Sequence, residues 1–377
     1  LRLKYRYLDL RRPSLQANFI LRSKLGTLTR IHMSGEGFLE LETPYMVKYT
    51  PGGARNFLVP SRLTPGSFYA LAESPQIFKQ LFMVSGFDKY FQITRCFRDE
   101  DLRNDRQPEF TQIDVELSFA TPERVYAPIE SLIQKLWKEL LHTDIEGPFL
   151  KLTWEEAMNR FGNDKPDMRF GMELLDCTAE TKDSGFSVFE KAEYVKCLCV
   201  PADKAGVLSR SKLDKLTAFA KKRESGGAKG LAWANIQDDL TWKAPFAKFI
   251  DPEKQKALSK HLGAEAGCCL LFIADDFETT HTVLSNLRLK LRDDLELLDD
   301  SEENKWRFLW VTDFPLFEKN AEGKWTSSHH PFTMPREEHI ELLQSDPGAV
   351  RAQAYDLVLN GNEVGGGSIR IHRGDVQ

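Results

Sequence analysis

The sequence lacks long apolar runs, paired cysteine motifs and an excess of basic charge. A membrane-spanning helix needs roughly 20 consecutive apolar residues, and no uninterrupted run of that length occurs. The basic residues at the start have no apolar signal-peptide core behind them and no initiator Met, so the chain is predicted to begin inside a longer protein. The net charge of -5 provides no general attraction to nucleic acid, so such binding requires a local basic surface.

The six cysteines form no CxxC pair and no His/Cys array with the spacing of a zinc site. This pattern favours a reducing compartment and predicts that the cysteines are small buried apolar residues. The fractions of apolar residues (41%) and charged residues (28%) are those of a globular protein, and 377 residues allow two or three domains. A disulfide-rich miniprotein is therefore excluded.

Two helices are predicted in the first quarter of the chain. Four apolar residues recur at helical spacing and predict a helix over residues 13–35: Leu21, Leu25, Leu28 and Ile31. Ser74 and Pro75 predict the start of a second helix, with the serine as its cap and the proline at its first position. Gln76 and Lys79 share one face of that helix, and this pattern alone is more typical of a solvated polar face.

The stretch from Tyr90 to Phe119 predicts two strands joined by a long polar loop. Alternation in the second strand predicts a core face with Thr111, Ile113, Val115, Leu117 and Phe119, and a polar face with Phe110, Gln112, Asp114, Glu116 and Ser118. If the strands pair antiparallel, Arg98 joins the polar face, where an arginine and several carboxylates can bind a charged ligand. The loop is too long for a simple hairpin, which favours a functional role, and Arg103 and Arg106 in it could contact phosphates.

Residues 171–280 differ from their surroundings in their pattern of short predicted strands and helices, and they predict an inserted α+β module. Short strands are predicted in KAEYVKCLCV and CCLLFIADD, and a helix in the SKLDKLTAFA segment. The helix is predicted to have Ser211 as its cap, Gly226 as its terminator and three inward residues, Leu213, Leu216 and Ala220.

Near the end, Asn360 and Gly361 lie between two extended runs, which is a strong hairpin signal. If they form the turn, Asp356 and Glu363 become diagonal neighbours on one face, roughly 7–8 Å apart at the backbone. One divalent cation can bridge carboxylates at that separation.

Six ordered motifs resemble those of the bacterial-type aspartyl-tRNA synthetases, a class II family, across almost the whole chain. They are GFLELETP, SPQIFKQLFM, the Arg-Asp-Glu that begins at Arg98, RQPEFTQIDVE, HHPFT and NEVGGGSIRIH. The resemblance implies an α+β fold: a class II antiparallel-sheet catalytic core flanked by helices, with an inserted GAD-type domain. It implies a first core part with motifs 1 and 2 at 1–170, the insertion at 171–280 and a second core part at 281–377.

The resemblance also implies the activity. Aspartate and ATP would form aspartyl-adenylate with Mg²⁺, and the aspartyl group would pass to the 3′ end of tRNA(Asp), with tRNA(Asn) left open as a further substrate. Motif 1 implies a homodimer, and the family implies the bacterial cytoplasm. Discrimination between the two tRNAs depends largely on an anticodon-binding domain that this sequence does not include.

Roles for individual residues follow from the matching motifs. For the amino acid, Lys79 and Arg370 would clamp the side-chain carboxylate, Gln76 and Asp114 would receive the ammonium group, and His329 would lie on a mobile loop nearby. For ATP, Arg98 would hold the α-phosphate, Phe110 would stack on adenine, and Glu100 and Glu363 would also contribute, with Asp356 and Glu363 as Mg²⁺ ligands. Glu100, Arg103 and Arg106 would lie near the tRNA acceptor end.

Two departures from the family pattern affect the expected activity. Gly52 stands where many members have a glutamate that contacts the substrate ammonium group. The chain also ends at Gln377 before motif 3, so this chain alone is expected to be poorly active or inactive.

Competing interpretations are weaker. The Lys79 and Arg370 pair and the insertion weigh against asparaginyl- and lysyl-tRNA synthetases. A catalytically inactive tRNA- or protein-binding paralogue would have no reason to retain the ATP, Mg²⁺ and amino-acid ligands. A class I synthetase and a P-loop NTPase are disfavoured because their motifs do not occur.

Overall fold

The computed structural model describes residues 1–49, 55–102, 106–298, 301, 305–320 and 322–377. The α-helices in chain order are α1 (Arg6–Asp9), α2 (Pro13–Gly35), α3 (Gln76–Val84), α4 (Pro122–Leu141), α5 (Trp154–Phe161), α6 (Thr178–Thr181), α7 (Ser187–Lys191), α8 (Ala202–Ala205), α9 (Arg210–Ala220), α10 (Pro252–His261), α11 (Phe277–Asp294) and α12 (Leu342–Ser345). The strands are β1 (Leu39–Glu40), β2 (Met46–Val47), β3 (Leu58–Pro60), β4 (Phe68–Leu71), β5 (Lys89–Phe97), β6 (Glu109–Leu117), β7 (Leu150–Thr153), β8 (Leu175–Asp176), β9 (Tyr194–Val200), β10 (Ala232–Ile236), β11 (Trp242–Lys243), β12 (Cys269–Asp275), β13 (Phe308–Thr312), β14 (Phe317–Lys319), β15 (Trp325–Ser327), β16 (Ala354–Leu359) and β17 (Asn362–Ser368).

The chain folds into two compact units, each built from separate stretches of sequence. The first contains residues 1–149, 316–353 and 368–377, and the second contains residues 150–315 and 354–367. Both mix helices with sheets that are mainly antiparallel, so the predicted α+β class is confirmed. The domain bounds at residues 171 and 280 stay a prediction.

The first unit has a small sheet in the order β1-β5-β6, with β1 parallel and β6 antiparallel to the central strand. One side of the sheet packs on α2 and α4 through buried apolar residues: Met33, Phe38, Phe91, Leu132 and Leu136. The predicted bounds of α2 are confirmed. Its predicted apolar stripe is wrong at Leu21 and Ile31, which are exposed, because the buried side of the helix is centred on Thr29 and Met33.

Alternation along β6 is confirmed in its polar face and only partly in its core face. The antiparallel register sets Gln92 opposite Asp114 and Thr94 opposite Gln112, so these side chains share one face. On the other face Val115 and Leu117 pack on the core, whereas Ile113 is exposed and Phe119 lies beyond the strand with 90% of its surface exposed. Those two core predictions are wrong, because the helix packing covers only one end of the strand.

In the second unit, five strands form an antiparallel sheet in the order β11-β10-β12-β9-β8. Both faces of this sheet are covered, one by α9 and α11 and the other by α7 and α10. Central strands of this kind need apolar residues on both faces, which explains the uninterrupted apolar run of β12. The predicted burial of the cysteines is confirmed for five of the six, and Cys199 is half-buried.

The capping of two predicted helices differs from expectation. Helix α9 begins after Ser209, whose side-chain oxygen accepts from the backbone N–H of Lys212, so Ser211 is a helix residue and not the cap. Helix α3 begins at Gln76 with Pro75 as its N-cap and without a side-chain cap, so the predicted Ser74 cap is wrong. The three predicted inward residues of α9 are buried.

The predicted hairpin near the end is confirmed. Strands β16 and β17 lie side by side in a four-stranded sheet with β13 and β7, and Asn360 and Gly361 form the turn between them. Both turn residues have positive φ angles, 51° and 83°, which is the backbone that a two-residue turn of this type requires. In the described ranges, no helix is long and apolar enough to cross a membrane.

One buried histidine makes the stability of the second unit depend on pH. Burial lowers the pKa of His281 from its usual 6.5, the charge of Lys196 lowers it further, and Asp176 opposes this. Its Nδ1–H donates to the carbonyl of Phe277 at 2.7 Å, and its Nε2 is buried without a partner in the described part of the chain. As the pH falls through 6.5, His281 therefore takes up a proton in the unfolded chain while it is still neutral in the folded chain.

We expect the free energy of unfolding to fall as the pH drops below about 6.5, by at most about 1.4 kcal/mol per pH unit from this group. Urea unfolding of the wild type and of His281→Asn at pH 7.5 and pH 5 measures the effect, because the variant should lose less stability between the two pH values. His261→Asn at the exposed His261 is the control and should behave as the wild type. Equal pH dependence in the wild type and His281→Asn would contradict the assignment.

Candidate active site

A buried lysine on α3 lies at the centre of the polar site in the first unit. Lys79 is 6% exposed, and its Nζ donates to Asp114 Oδ1 at 2.8 Å and lies 3.3 Å from Glu116 Oε2. The helix turns this side inward, whereas Ile77 and Leu81 are exposed. The solvated-face alternative for Gln76 and Lys79 is therefore wrong.

The strand residues next to Asp114 are fixed by a buried hydrogen-bond network. Gln92 Oε1 accepts from Thr43 Oγ1 and from the Tyr90 hydroxyl, both at 2.9 Å. Burial raises the pKa of the Tyr90 hydroxyl, and the charge of Asp114 raises it further, so Tyr90 stays a hydrogen-bond donor. Thr43 belongs to the segment after β1, and it therefore ties that segment to the floor of the site.

A second cation meets α3 from the end of the chain. Arg370 lies just beyond β17 in an isolated antiparallel bridge with Thr333, and its Nη2 donates to Gln76 Oε1 at 3.4 Å. Within the described ranges, no carboxylate forms an ion pair with Arg370. Its positive charge is therefore available to a ligand. The charge of Lys79 is less available, because two carboxylates already share it.

Three buried polar atoms around these residues have no partner in the described part of the chain: Gln76 Nε2, Arg98 Nε and Asp114 Oδ2. Two are donors and one is an acceptor. Buried polar groups are nearly always hydrogen-bonded, and leaving one unsatisfied costs about 1–3 kcal/mol. A ligand that carries both an ammonium group and carboxylate groups satisfies a set of this kind.

Two neighbouring histidines, His329 and His330, precede Phe332 in the first unit. Burial lowers the pKa of His330, and the positive charges of Arg370 and Lys79 lower it further. His330 is thus a neutral imidazole at pH 7, and its Nδ1 accepts from the backbone N–H of Phe332. His329, which the resemblance singles out, is the preceding residue, and its role stays a prediction.

Arg98 lies where β5 ends and the long loop begins. Its backbone N–H donates to the carbonyl of Pro108 at 2.9 Å, and its guanidinium lies over the ring of Phe110 at 5.1 Å from the centroid. The predicted shared floor therefore brings Arg98 and Phe110 together. Arg98 Nε is buried and has no partner in the described part of the chain. Its N–H can therefore donate to a bound anion without competition from water.

The loop residues assigned to ATP and RNA are only partly described. Arg106 Nη1 lies 3.4 Å from Glu100 Oε2, so the two form an ion pair across the loop. Arg103 and Gly52 lie outside the described residues.

The predicted metal ligands lie on the β16–β17 hairpin of the second unit. Burial raises the pKa of Asp356 to about 7, and the negative charges of Glu363 and Asp164 contribute. Glu363 pairs with Lys165 at 2.7 Å. A Cβ on Gly366 would clash with Asp356 Oδ1, so any larger residue there would displace this carboxyl.

This carboxylate set fits Mg²⁺, which binds through one or two carboxylates together with substrate phosphates rather than in an all-protein cage. In the described residues, no group of three or more His, Cys, Asp or Glu forms a metal cage. The negative charge of Glu363 contributes to the raised pKa of Asp356, and a divalent cation bound beside Asp356 would oppose that effect.

Sequence reasoning placed Glu116 on the polar face but assigned it no role. The structure makes it the second carboxylate on Lys79. Glu116 lies two residues from Asp114 on the same strand face, and this spacing could have predicted that both carboxylates contact the same cation. The roles of Thr43 and Lys165 had no comparable signal, because each depends on a partner far away in sequence.

The first unit thus presents an antiparallel sheet with an arginine, an aromatic ring and a lysine–carboxylate pair on one face, which is the class II synthetase arrangement that the motifs predict. The chain belongs to the family of class II tRNA synthetases (D, K and N), whose model matches residues 1–377.

Curated relatives cover the whole chain. The aspartate–tRNA(Asp/Asn) ligase of Lachnoclostridium phytofermentans is 55% identical, and the aspartate–tRNA ligase of Agathobacter rectalis is 53% identical, each over 382 residues that span 100% of this chain and 62% of the relative. The aspartate–tRNA(Asp/Asn) ligase of Oleidesulfovibrio alaskensis is 52% identical over 378 residues, which span 100% of this chain and 61% of the relative. The chain therefore spans about three fifths of the length of these relatives.

Proposed function

We propose that the natural protein containing this chain is an aspartate–tRNA ligase. It activates L-aspartate with ATP and transfers the aspartyl group to the 3′ end of tRNA(Asp). The observation that carries the proposal is a pair of cations, Arg370 in contact with Gln76 and Lys79 in contact with Asp114. Beside them, Gln76 Nε2 and Asp114 Oδ2 are buried without a partner in the described part of the chain. The names of the relatives support it.

The amino acid is recognised by charge. Arg370 and Lys79 attract the side-chain carboxylate of aspartate, and the free Oδ2 of Asp114 accepts from its ammonium group. Gln76 Nε2 supplies a further donor in this arrangement. Asparagine is rejected because its neutral amide leaves the positive charge of Arg370 without a counter-charge in a partly buried site.

Activation requires one carboxylate oxygen of aspartate to attack the α-phosphorus of ATP, with pyrophosphate leaving. The guanidinium of Arg98 donates to the α-phosphate oxygens, which gain negative charge in the transition state. Adenine stacks on the ring of Phe110. Because this ring lies against Arg98, the adenine contact and the phosphate contact are next to each other. A terminal tRNA hydroxyl then attacks the aspartyl carbonyl carbon, and AMP leaves.

Asp356 and Glu363 would hold a Mg²⁺ ion, which would supply positive charge against phosphate. Lys165 pairs with the Glu363 carboxylate at 2.7 Å, and Gly366 leaves room for the Asp356 carboxyl because it has no Cβ. Glu100, Arg103 and Arg106 lie on the loop that we assign to ATP and to the tRNA acceptor end. The carboxylate of Glu100 orients Arg106 there.

The protein acts as a homodimer in the bacterial cytoplasm. Large apolar side chains on α2 and β1 are exposed, including Phe19, Ile20, Ile31 and Leu39, and a second copy of the chain would cover them. One relative is named an aspartate–tRNA ligase and another an aspartate–tRNA(Asp/Asn) ligase, so the range of tRNA substrates is a separate question.

Charging of tRNA transcripts by the natural protein tests the proposal. With aspartate, ATP and Mg²⁺ we expect aspartyl-tRNA(Asp) to form, and the ratio of kcat/KM for tRNA(Asn) and tRNA(Asp) defines the tRNA range. Asparagine and lysine in place of aspartate are the controls. Charging of tRNA(Asn) with asparagine, or no charging at all by folded protein, would contradict the proposal.

A further inference from the structure

One stretch of the second unit is basic although the whole chain is acidic. Residues 202–230 contain eight Lys and Arg residues and three Asp and Glu residues, whereas the whole chain has a net charge of -5. Most of these cations lie on or just after α9. This is the kind of local basic surface that nucleic-acid binding by an acidic protein requires.

Three exposed lysines share one side of α9 and its extension. At about 100° per residue, Lys212, Lys215 and Lys222 lie within about 80° of one another around the helix axis. The buried residues Leu213 and Leu216 lie about 100° or more from Lys215 and Lys222 around the axis. Lys212 lies nearer the edge of the buried side, about 40° from Leu216. All three are exposed, and none forms an ion pair with a carboxylate in the described part of the chain.

Helix α11 extends this surface. Lys290 Nζ lies over the ring of Phe219 at 5.7 Å from the centroid, which brings a fourth cation beside the lysine row. We call the surface formed by Lys212, Lys215, Lys222 and Lys290 the α9 basic face. Asp294 pairs with Lys290 at 2.9 Å and weakens this one charge.

The other charges of α9 lie elsewhere on the helix. Arg210 and Asp214 pair with each other at 3.2 Å, and around the axis Asp214 lies about 80° from Lys222, about 100° from Lys215 and about 160° from Lys212. The two other acidic residues of the stretch, Asp203 and Glu224, lie outside α9 and form no ion pair among the described residues. The basic face thus keeps most of its charge.

We propose that the α9 basic face binds the phosphodiester backbone of the tRNA substrate. The proposal rests on the proposed function for the identity of the RNA. Lys222 follows the C-cap of α9 directly, so the helical rise separates it from Lys212 by about 15 Å along the helix axis. That length spans two or three consecutive phosphates of a nucleic-acid strand. An acidic protein partner fits less well, because protein interfaces are anchored by apolar or aromatic side chains and α9 and α11 contribute no large exposed apolar residue among those described.

The test compares two triple variants of the natural protein. Lys212→Gln, Lys215→Gln and Lys222→Gln together remove the basic face. Lys191→Gln, Lys243→Gln and Lys260→Gln remove the same charge from exposed sites elsewhere in the second unit. The Kd for tRNA(Asp) is measured by filter binding between 50 and 200 mM KCl.

We expect the basic-face triple to raise Kd about tenfold at the lowest salt and to make the slope of log K against log salt shallower by about 2. The control triple should change Kd less than twofold, and replacement of the same three basic-face lysines by arginine should retain wild-type binding. Aspartate-dependent ATP–pyrophosphate exchange should be unchanged in all of them.

A wild-type Kd and salt slope in the basic-face triple would overturn the inference. An equal loss in both triples would also overturn it, since the effect would then be one of net charge. If the wild type fails to charge tRNA(Asp) with aspartate, the proposed function fails instead, and the comparison of tRNA binding between the triples still decides the role of the basic face.

Discussion

Replacing Arg98 with glutamine is expected to lower kcat for aspartate-dependent ATP–pyrophosphate exchange about 100- to 1000-fold. The guanidinium lies against Phe110, and its Nε is buried without a partner in the described part of the chain, so it is a fixed donor without a competing protein acceptor. Its contacts strengthen as charge develops on the α-phosphate, so the loss should fall on kcat more than on the KM for aspartate.

Arg95 provides a matched control for this variant. It lies three residues earlier on the same strand, is largely exposed and pairs with Glu109. Arg95→Gln should retain exchange within about twofold, since an exposed pair contributes little. Arg98→Lys should fall between the wild type and Arg98→Gln, because a lysine keeps the charge but loses the two-pronged geometry. Wild-type kcat in Arg98→Gln would refute the assigned role.

Replacing Lys79 with methionine is expected to lower kcat/KM for aspartate by about 1000-fold. The variant removes one cation of the clamp and leaves Asp114 and Glu116 side by side, buried and without a cation. Breaking a buried pair from one side costs about 3–5 kcal/mol. The loss should appear in the KM for aspartate, whereas the KM for ATP should change little.

The double variant Lys79→Met with Asp114→Asn separates stability from recognition. It removes one of the two carboxylates that lose their cation, so we expect it to recover part of the lost thermal stability but not the affinity for aspartate. Lys24→Met, at an exposed lysine on α2, is the control and should behave as the wild type. An unchanged KM for aspartate in Lys79→Met, measured on folded protein, would exclude Lys79 from the amino-acid site.

Local elements of the fold were predictable where the pattern depends on near neighbours. The bounds of α2 follow from helical spacing together with Pro13 and Gly35, and the β16–β17 turn follows from Asn360 and Gly361, whose positive φ angles are typical of those residue types. The cap of α9 was misplaced by two residues because Ser209 and Ser211 are both suitable caps. Only the three-dimensional position of the Lys212 N–H decides between them.

Burial was less predictable than secondary structure. Ile113, Leu21 and Ile31 have the apolar character and spacing of core residues, yet they are exposed in this chain. Periodicity reports which residues share a face and does not report what covers that face.

The part of the candidate site that lies on strands β5 and β6 was predictable. Alternation along β6 places Asp114 and Glu116 on one face, and the antiparallel register then brings Gln92 opposite. The Arg370 contact with Gln76 joins residues 294 positions apart, and no local pattern encodes such a pair. That pairing was reached only through the resemblance to a family, because its physical cause is the tertiary fold.

The central claim is that the cations Lys79 and Arg370 select an amino acid with a negative side chain. ATP–pyrophosphate exchange by the natural protein, with aspartate, asparagine and lysine offered separately in Mg²⁺, tests it most directly. We predict exchange with aspartate and exchange at least 100-fold slower with asparagine and with lysine. Exchange with asparagine at a rate comparable to that with aspartate would contradict the claim.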